Sequence, residues 1–302
     1  MIDTENVIVN SPKAWLLAAR PKTLTCASVP VMLGAGLALG SYSYFEPIPT
    51  VLCFLFAFIM QIDANFVNDY FDFKSGVDDE HRMGPPRACE QGWVTPKAMI
   101  IAIAITTLLA CAVGLPLVFY GGWKMVYVGA ACVVCCFLYT TFFSKYAMGD
   151  LLVLIFFGLV PVCLTYYLVL PPELRGFPWY VILEGVACGL VVDTLLLVNN
   201  YRDIKTDKMV GKHTLATIIG RKATLWVYYA VGTVAVLMQI AFFYTDMFWA
   251  MFASFPYFFL HLRTSLKMSK STTVKELNDI LAQTARNIFI FGLSMAIAFC
   301  FS

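Results

Sequence analysis

Nine stretches of the sequence are long and apolar enough to cross a lipid bilayer as α-helices, each of which needs about 20 residues for roughly 30 Å of hydrocarbon. The chain is 60% hydrophobic and only 13% charged, which is more apolar surface than one water-soluble core can bury. We therefore predict an all-α membrane protein with a single domain over residues 1–302, in which residues 1–23 form a cytoplasmic or interfacial segment. The nine predicted spans lie near residues 24–42, 48–70, 98–119, 124–142, 150–170, 178–200, 223–243, 246–262 and 285–301.

The positive charges are distributed very unevenly across this arrangement. With nine spans, 19 of the 21 lysines and arginines fall on the side of the N-terminus, and only Lys124 and Arg175 fall on the other side. The positive-inside rule then places the N-terminus in the cytoplasm, so we expect an integral protein of a bacterial cytoplasmic (inner) membrane, surrounded by lipid. The net charge of +2 gives no reason to expect a nucleic-acid partner.

A first polar cluster ends the second apolar run. Asn65, Asn68, Asp69 and Asp72 are spaced at i, i+3, i+4 and i+7, so that a helix would project them from one stripe. Such a stripe at a membrane boundary favours a binding face over the alternative, which is that these residues only solubilise a helix end.

A second polar cluster ends the sixth apolar run. Asn199, Asn200, Asp203 and Asp207 repeat the three-and-four spacing. Four predicted spans separate the two clusters, and an even number returns the chain to the same side of the membrane, so the clusters can meet in a cytoplasmic pocket. Asp63 and Asp193 lie deeper, and the sequence leaves open whether they line this pocket or only pair with a neighbouring polar group.

The residue types in the clusters indicate a metal and a phosphate ligand. Carboxylates and carboxamide oxygens, without histidine or cysteine at ligand spacing, suit Mg²⁺ better than zinc. Lysines and arginines beside each cluster could neutralise a phosphate. A diphosphate held between two Asp-rich helix ends fits both observations.

At these motifs the sequence resembles the UbiA superfamily of intramembrane prenyltransferases, which carry an NDxxD-type first motif and a DxxxD second motif on nine helices. The segment Asn68 to Asp72 matches the first motif and the segment Asp203 to Asp207 the second. The sequences ARPKTL, NDYFDFKSGVD with GPPRA, and NNYRDIKTDKMVGKHTLA are most similar to the branch that prenylates 1,4-dihydroxy-2-naphthoate in menaquinone biosynthesis.

The resemblance implies roles for particular residues. Catalysis would rest on Asp69, Asp72, Asp203 and Asp207, which with Asn68 would hold two Mg²⁺ ions. Many superfamily members have a further Asp at the position of Gly76, and here that role passes to Asp78. The other implied substrate-binding residues are Asn65, Asn68, Lys74, Arg82, Arg87, Lys145, Asn199, Asn200, Arg202 and Lys212.

The resemblance also implies a reaction. A polyprenyl group would pass from a polyprenyl diphosphate to an aromatic acid, here 1,4-dihydroxy-2-naphthoate, with loss of carbon dioxide. Members that use 4-hydroxybenzoate, haem or chlorophyllide as acceptor remain alternatives. A transporter is a further alternative, although the acids concentrate at one membrane face rather than at the midplane.

Overall fold

A computed structural model describes residues 7–76, 84, 86–143 and 146–302, and α-helices make up most of these residues. The α-helices in chain order are α1 Pro12–Ala19, α2 Pro21–Tyr42, α3 Pro47–Lys74, α4 Pro96–Gly114, α5 Val118–Gly121, α6 Lys124–Thr141, α7 Gly149–Leu154, α8 Val160–Leu168, α9 Trp179–Met209, α10 Leu215–Met238, α11 Ala250–Ala253, α12 Phe255–Lys270 and α13 Val274–Cys300. A 3₁₀ turn joins α4 to α5, and a π-helical segment, Ile155–Leu159, joins α7 to α8.

Several helices begin where the sequence supplies a proline and a cap. Proline occupies the first position of α1, α2, α3 and α4, where its missing N–H costs no hydrogen bond. Ser11 caps α1 and Thr95 caps α4 by accepting a backbone N–H, and Thr273 begins α13 with a capping box. The segment that precedes the first span thus contains a short helix, α1.

Eight helical segments among the described residues are long and apolar enough to cross a membrane, one fewer than predicted. The difference lies at 246–262, where the chain forms α11 and then α12. Helix α12 has only 16 residues, which include the basic residues Arg263, Lys267 and Lys270. The count of nine therefore stays a prediction. Both polar clusters precede this segment, and the four segments between them are all among the eight.

Helices α2 and α9 lie at the centre of the bundle. Helix α2 packs against α3, α8 and α13, and α9 packs against α7, α8, α10 and α13. Small residues bring α9 close to the π-helical segment, since a Cβ on Gly158 would lie only 2.4 Å from the Cα of Gly189. Pro161 has no N–H that could bond to the carbonyl oxygen of Phe157. The thiol of Cys188 on α9 donates a hydrogen bond to that oxygen instead, at a distance of 3.5 Å.

The deep acid Asp63 holds α3 against α4. One of its carboxylate oxygens accepts a hydrogen bond from the hydroxyl of Thr106, and the other accepts one from Thr107 at 3.0 Å. Both oxygens are thereby satisfied inside the protein, as a low-dielectric environment requires. The structure therefore supports the second role left open for Asp63, in which it pairs with neighbouring polar groups rather than lining the pocket.

The bundle leads to a prediction about topology. Cysteines placed at the exposed positions Ser75 and Lys208 of a cysteine-free variant should both react with an impermeant thiol reagent from the cytoplasmic side, because four spanning segments separate them. Glu173→Cys, which lies between the fifth and sixth segments, should react only from the opposite side. Right-side-out and inverted vesicles provide the two measurements, and labelling of positions 75 and 208 from opposite faces would contradict a shared site.

Candidate functional site

A cavity of about 800 Å³ runs through the bundle between α2, α3, α4, α6, α8 and α9. Most of its wall is apolar, with Phe56, Met60, Met125 and Leu164 among the lining side chains. Polar side chains line it at the end where α3 and α9 carry the two predicted clusters. The charged and carboxamide side chains on the wall are those of Arg20, Gln61, Asn68, Asp72, Arg87, Asp150, Asn199, Asn200 and Lys212.

In the first cluster, Asn68 and Asp72 line the cavity. A carboxylate oxygen of Asp72 accepts a hydrogen bond of 2.6 Å from the guanidinium of Arg87, which is 7% exposed. The side-chain oxygen of Asn68 accepts a hydrogen bond from the hydroxyl of Thr140 on α6. The ion pair holds Arg87 at the end of α3 and places a cation on the cavity wall.

Asp69 has a different arrangement from the one predicted for a metal ligand. It is fully buried, and its two oxygens accept hydrogen bonds from the backbone N–H groups of Ala88 and Cys89 at 2.9 and 2.8 Å. The negative charge of Asp69 also adds to burial in raising the pKa of the Cys89 thiol. In the structure this carboxylate anchors the segment that carries Arg87, and it is not among the residues that line the cavity.

Asn65 also makes contacts that hold the fold together. Its amide group donates to the backbone oxygen of Ala19 and to the hydroxyl of Thr23, both at 2.9 Å. These bonds fix the junction of α1 and α2 against α3. Asn65 is absent from the cavity wall, so its predicted contact with substrate has no geometric support among the described residues.

The α1–α2 junction contributes Arg20, which the prediction from sequence did not include. Its guanidinium lies 3.9 Å from the carboxylate of Asp69 and lines the cavity. Burial, helped by the nearby positive charge of Arg87, lowers the pKa of Arg20 to about 10, so it remains charged at neutral pH. The ARPKTL sequence contained this residue but gave no indication that it faces the cavity.

The second cluster is organised by Arg202, which is buried. Its guanidinium donates to both oxygens of Asp203, at 2.7 and 2.6 Å. It also donates to Asn199 at 2.6 Å and to Asn278 of α13 at 2.9 Å. Asn199 lies on the cavity wall beside Asn200, whereas Arg202 and Asp203 stand behind that wall.

Asp207 is 6% exposed, and one of its oxygens lies 3.8 Å from the amine of Lys212, which lines the cavity. Its other oxygen, Oδ2, has no hydrogen-bond partner among the described residues. Asp207 also lies near enough to Asp72 for the two charges to interact. The two clusters, whose members are 127 to 142 residues apart at the extremes, therefore meet at one end of the cavity.

Four further predicted residues, in addition to Asn65, are not described on the cavity wall. Lys74 is exposed, and its amine lies 5.9 Å from the centre of the Tyr70 ring rather than on the cavity wall. Asp78, Arg82 and Lys145 lie outside the described residues.

The donor groups at the polar end are compatible with Mg²⁺. Within the described ranges, no three His, Cys, Asp or Glu side chains converge into a preformed metal cluster. Mg²⁺ needs only one or two carboxylates when phosphate oxygens and water complete its shell. Asp72 and Asn68 on the wall, and the unpartnered oxygen of Asp207 behind it, are oxygen donors of the required kind.

Two further cavity residues were not predicted. Tyr139 of α6 and Asp150 of α7 both line the polar end. A lone acid at the start of an apolar run and a tyrosine within another carry no motif in the sequence. Only the packing of α7 against α9 shows that Asp150 lies near Asp193.

The chain matches the UbiA prenyltransferase family over residues 27–299. It is 34% identical to a 1,4-dihydroxy-2-naphthoate octaprenyltransferase of Escherichia coli K12, over 70% of both chains. It is 30% identical to the enzyme of that name from Mycobacterium tuberculosis H37Rv, over 95% of this chain and 97% of the relative.

A solved structure has the same fold. A UbiA homolog from Archaeoglobus fulgidus, bound to DMAPP and Mg²⁺, superposes with a TM-score of 0.62 at 15% identity, over 92% of this chain and 98% of the homolog. The match to the family covers nearly the whole bundle and both polar clusters. The chain therefore belongs to the UbiA prenyltransferase family.

Proposed function

We propose that the protein is a Mg²⁺-dependent aromatic prenyltransferase of the cytoplasmic membrane, with its polar end facing the cytoplasm. It would transfer a polyprenyl group from a polyprenyl diphosphate to 1,4-dihydroxy-2-naphthoate, releasing carbon dioxide and diphosphate and forming demethylmenaquinol. The observation that carries this proposal is the cavity itself, since one apolar space ends in a compact group of cations, carboxylates and carboxamides. That pattern is complementary to a lipid diphosphate.

The cations at the polar end suit the diphosphate. Arg20, Arg87 and Lys212 all line the cavity, and the two arginines can each donate two hydrogen bonds to phosphate oxygens. Charge accumulates on the diphosphate as its allylic C–O bond breaks, so fixed cations at this place stabilise the transition state more than the ground state.

The metal would be held by residues of both clusters. Asp72 and Asn68 of α3 would bind the metal from the cavity wall, and Asp203 and Asp207 of α9 would supply further oxygens from behind it. Asp69 would support them by anchoring the residues next to Arg87. Bound Mg²⁺ supplies positive charge to the leaving diphosphate. In the homolog from Archaeoglobus fulgidus, the bound ligands are Mg²⁺ and DMAPP, a prenyl diphosphate.

The apolar wall suits the prenyl tail. Each CH₂ group of a lipid chain gains about 0.8 kcal/mol when it leaves water, so a long tail stays within the bundle and the bilayer. The same wall excludes water from the allylic cation, which would otherwise be quenched as an alcohol. The names of the relatives from Escherichia coli and Mycobacterium tuberculosis support the naphthoate as acceptor.

The first test separates residues that would contact the metal from the one that anchors the loop. Asp72→Ala and Asp207→Ala should lower turnover about 100-fold or more while expression and melting temperature stay near the wild type. Asp69→Ala should lower the melting temperature as well, because the buried N–H groups of Ala88 and Cys89 lose their acceptor.

These variants need matched measurements. Chelation should abolish turnover of the wild type and added Mg²⁺ should restore it. Asp246→Ala, at an exposed position away from the cavity, should behave as the wild type. Near-normal rates for Asp72→Ala and Asp207→Ala, or for the chelated protein, would contradict the metal site.

The second test concerns the acceptor. With 1,4-dihydroxy-2-naphthoate labelled in its carboxyl carbon, one labelled carbon dioxide should be released for each prenylated product, because the ring carbon that bears the carboxylate is the one attacked. Reactions without the prenyl diphosphate, and with Asp72→Ala, measure spontaneous decarboxylation. Product that retains the label, or selective use of 4-hydroxybenzoate, haem or chlorophyllide, would assign the protein to a different acceptor.

A further inference from the structure

Two carboxyl groups lie together inside the bundle, apart from the two Asp-rich clusters. Asp150 is in the first turn of α7 and lines the cavity, and Asp193 is on α9, six residues before Asn199. The helices touch at this level, since a Cβ on Gly149 would lie 3.3 Å from the side chain of Leu196. The carboxyl groups are near enough for their charges to interact.

Each of these carboxyl groups has an unused oxygen. The Oδ1 atoms of Asp150 and Asp193 are both buried and have no hydrogen-bond partner among the described residues, and Asp193 is only 6% exposed. Asp63 shows what a carboxylate used for packing looks like in this protein, because both of its oxygens accept bonds from threonines. Helix packing therefore accounts for Asp63 and does not account for the pair, whose open oxygens point to a bound ligand.

The pair is suited to a different task from the clusters. Asp72 and Asp203 accept hydrogen bonds from arginines, so their carboxylate oxygens already have cationic partners. No arginine or lysine bonds to Asp150 or Asp193 in the described part of the chain. Two neighbouring carboxylates repel each other, and one proton bound between them relieves that repulsion, so the pair can accept a single proton from a ligand.

We propose that Asp150 is the catalytic group that takes the phenolic proton of the aromatic acceptor and later returns it, with Asp193 as the residue that positions it. This inference rests on the proposed function and names the base for that reaction. Tyr139 lines the cavity beside the pair, and its hydroxyl would lie 3.7 Å from a Cβ on Gly149, so the acceptor ring has an aromatic wall at the same level.

The chemistry balances without a further reactant. As the prenyl carbon bonds to the ring carbon that bears the carboxylate, the diphosphate leaves with the electron pair of the C–O bond, and the adjacent hydroxyl gives its proton to Asp150 and becomes a carbonyl. That carbonyl accepts the electrons released when carbon dioxide leaves. The resulting enolate oxygen then takes the proton back from Asp150, which is ready for the next turnover.

The test uses the full-length protein and acceptors of graded acidity. In Asp150→Asn, single-turnover prenylation of 1,4-dihydroxy-2-naphthoate should fall about 100-fold or more. The loss should shrink for ring-substituted analogues whose hydroxyl is more acidic, because these need less help to lose their proton. Binding of the prenyl diphosphate with Mg²⁺ and its slow hydrolysis without acceptor should stay within about threefold of the wild type.

Controls separate proton transfer from structure. Asp150 lies in the first turn of α7, where a carboxylate can also stabilise the helix, so melting temperature is measured for each variant. Asp63→Asn makes the same change at a buried acid away from the cavity and should leave the dependence on acceptor acidity unchanged. Asp193→Asn should show a smaller loss with the same trend as Asp150→Asn.

The outcomes are distinct. An equal loss for all acceptors, or activity of Asp150→Asn near that of the wild type, would overturn the role of Asp150 while leaving the proposed function intact. Failure of the wild type to prenylate the naphthoate would instead remove the proposed function.

Discussion

The low dielectric of the membrane interior requires each buried polar group to find its partner within the protein. Most polar groups of the bundle meet this requirement: Asp63 binds two threonines across α3 and α4, and Asn65 holds the start of α2. Against that background the unsatisfied groups are informative. The unpartnered oxygens of Asp150, Asp193 and Asp207 all belong to residues on or just behind the wall at one end of the cavity, whereas those of Glu184 lie deeper in α9. Gln239 also has an unpartnered oxygen and, like Glu184, does not line the cavity. What marks the site is therefore that three acids with unpartnered oxygens occur together there.

Ion pairs explain how several acidic and basic side chains can lie close together at the polar end of the cavity. Asp72 bonds to Arg87, Asp203 to Arg202, and Asp207 lies near Lys212, so each acid of the DxxD and DxxxD motifs that approaches the cavity has its own cation. A buried charge without such a partner would cost several kcal/mol. The pairing also presents cations and acids side by side. A ligand that carries both a diphosphate and a divalent metal ion matches this arrangement, because each of its charges finds a group of the opposite sign.

Helix geometry accounts both for what the sequence predicted at the first cluster and for what it did not. The spacing of Asn65, Asn68, Asp69 and Asp72 correctly predicted one stripe, but at 3.6 residues per turn that stripe is about 100° wide. Asn68 and Asp72 fall on one half and line the cavity, whereas Asn65 and Asp69 fall on the other half and hold neighbouring segments. The division depends on the return of residues 87–89 over α3, which the periodicity of the sequence does not contain. The sequence pattern was also insufficient at α12. Its apolar residues predicted a membrane span, but basic residues occupy the second half of the helix, so the apolar stretch within it is short.

The least predictable part of the site is the pair formed by Asp150 and Asp193, which are 43 residues apart and belong to no motif. A lone acid in an apolar run shows that some partner must exist, because the free energy of an isolated charge in a bilayer is prohibitive. The sequence does not show whether that partner is a hydrogen-bond donor or a second acid. Asp63 and Asp193 look alike in the sequence, yet two threonine hydroxyls donate to the first, whereas the charge of a second carboxyl group acts on the other. Donors satisfy a carboxylate and remove it from chemistry, whereas another carboxylate keeps it able to accept a proton. The neighbour across the helix interface, and not the acid itself, therefore decides whether a buried aspartate holds the fold together or takes part in the reaction.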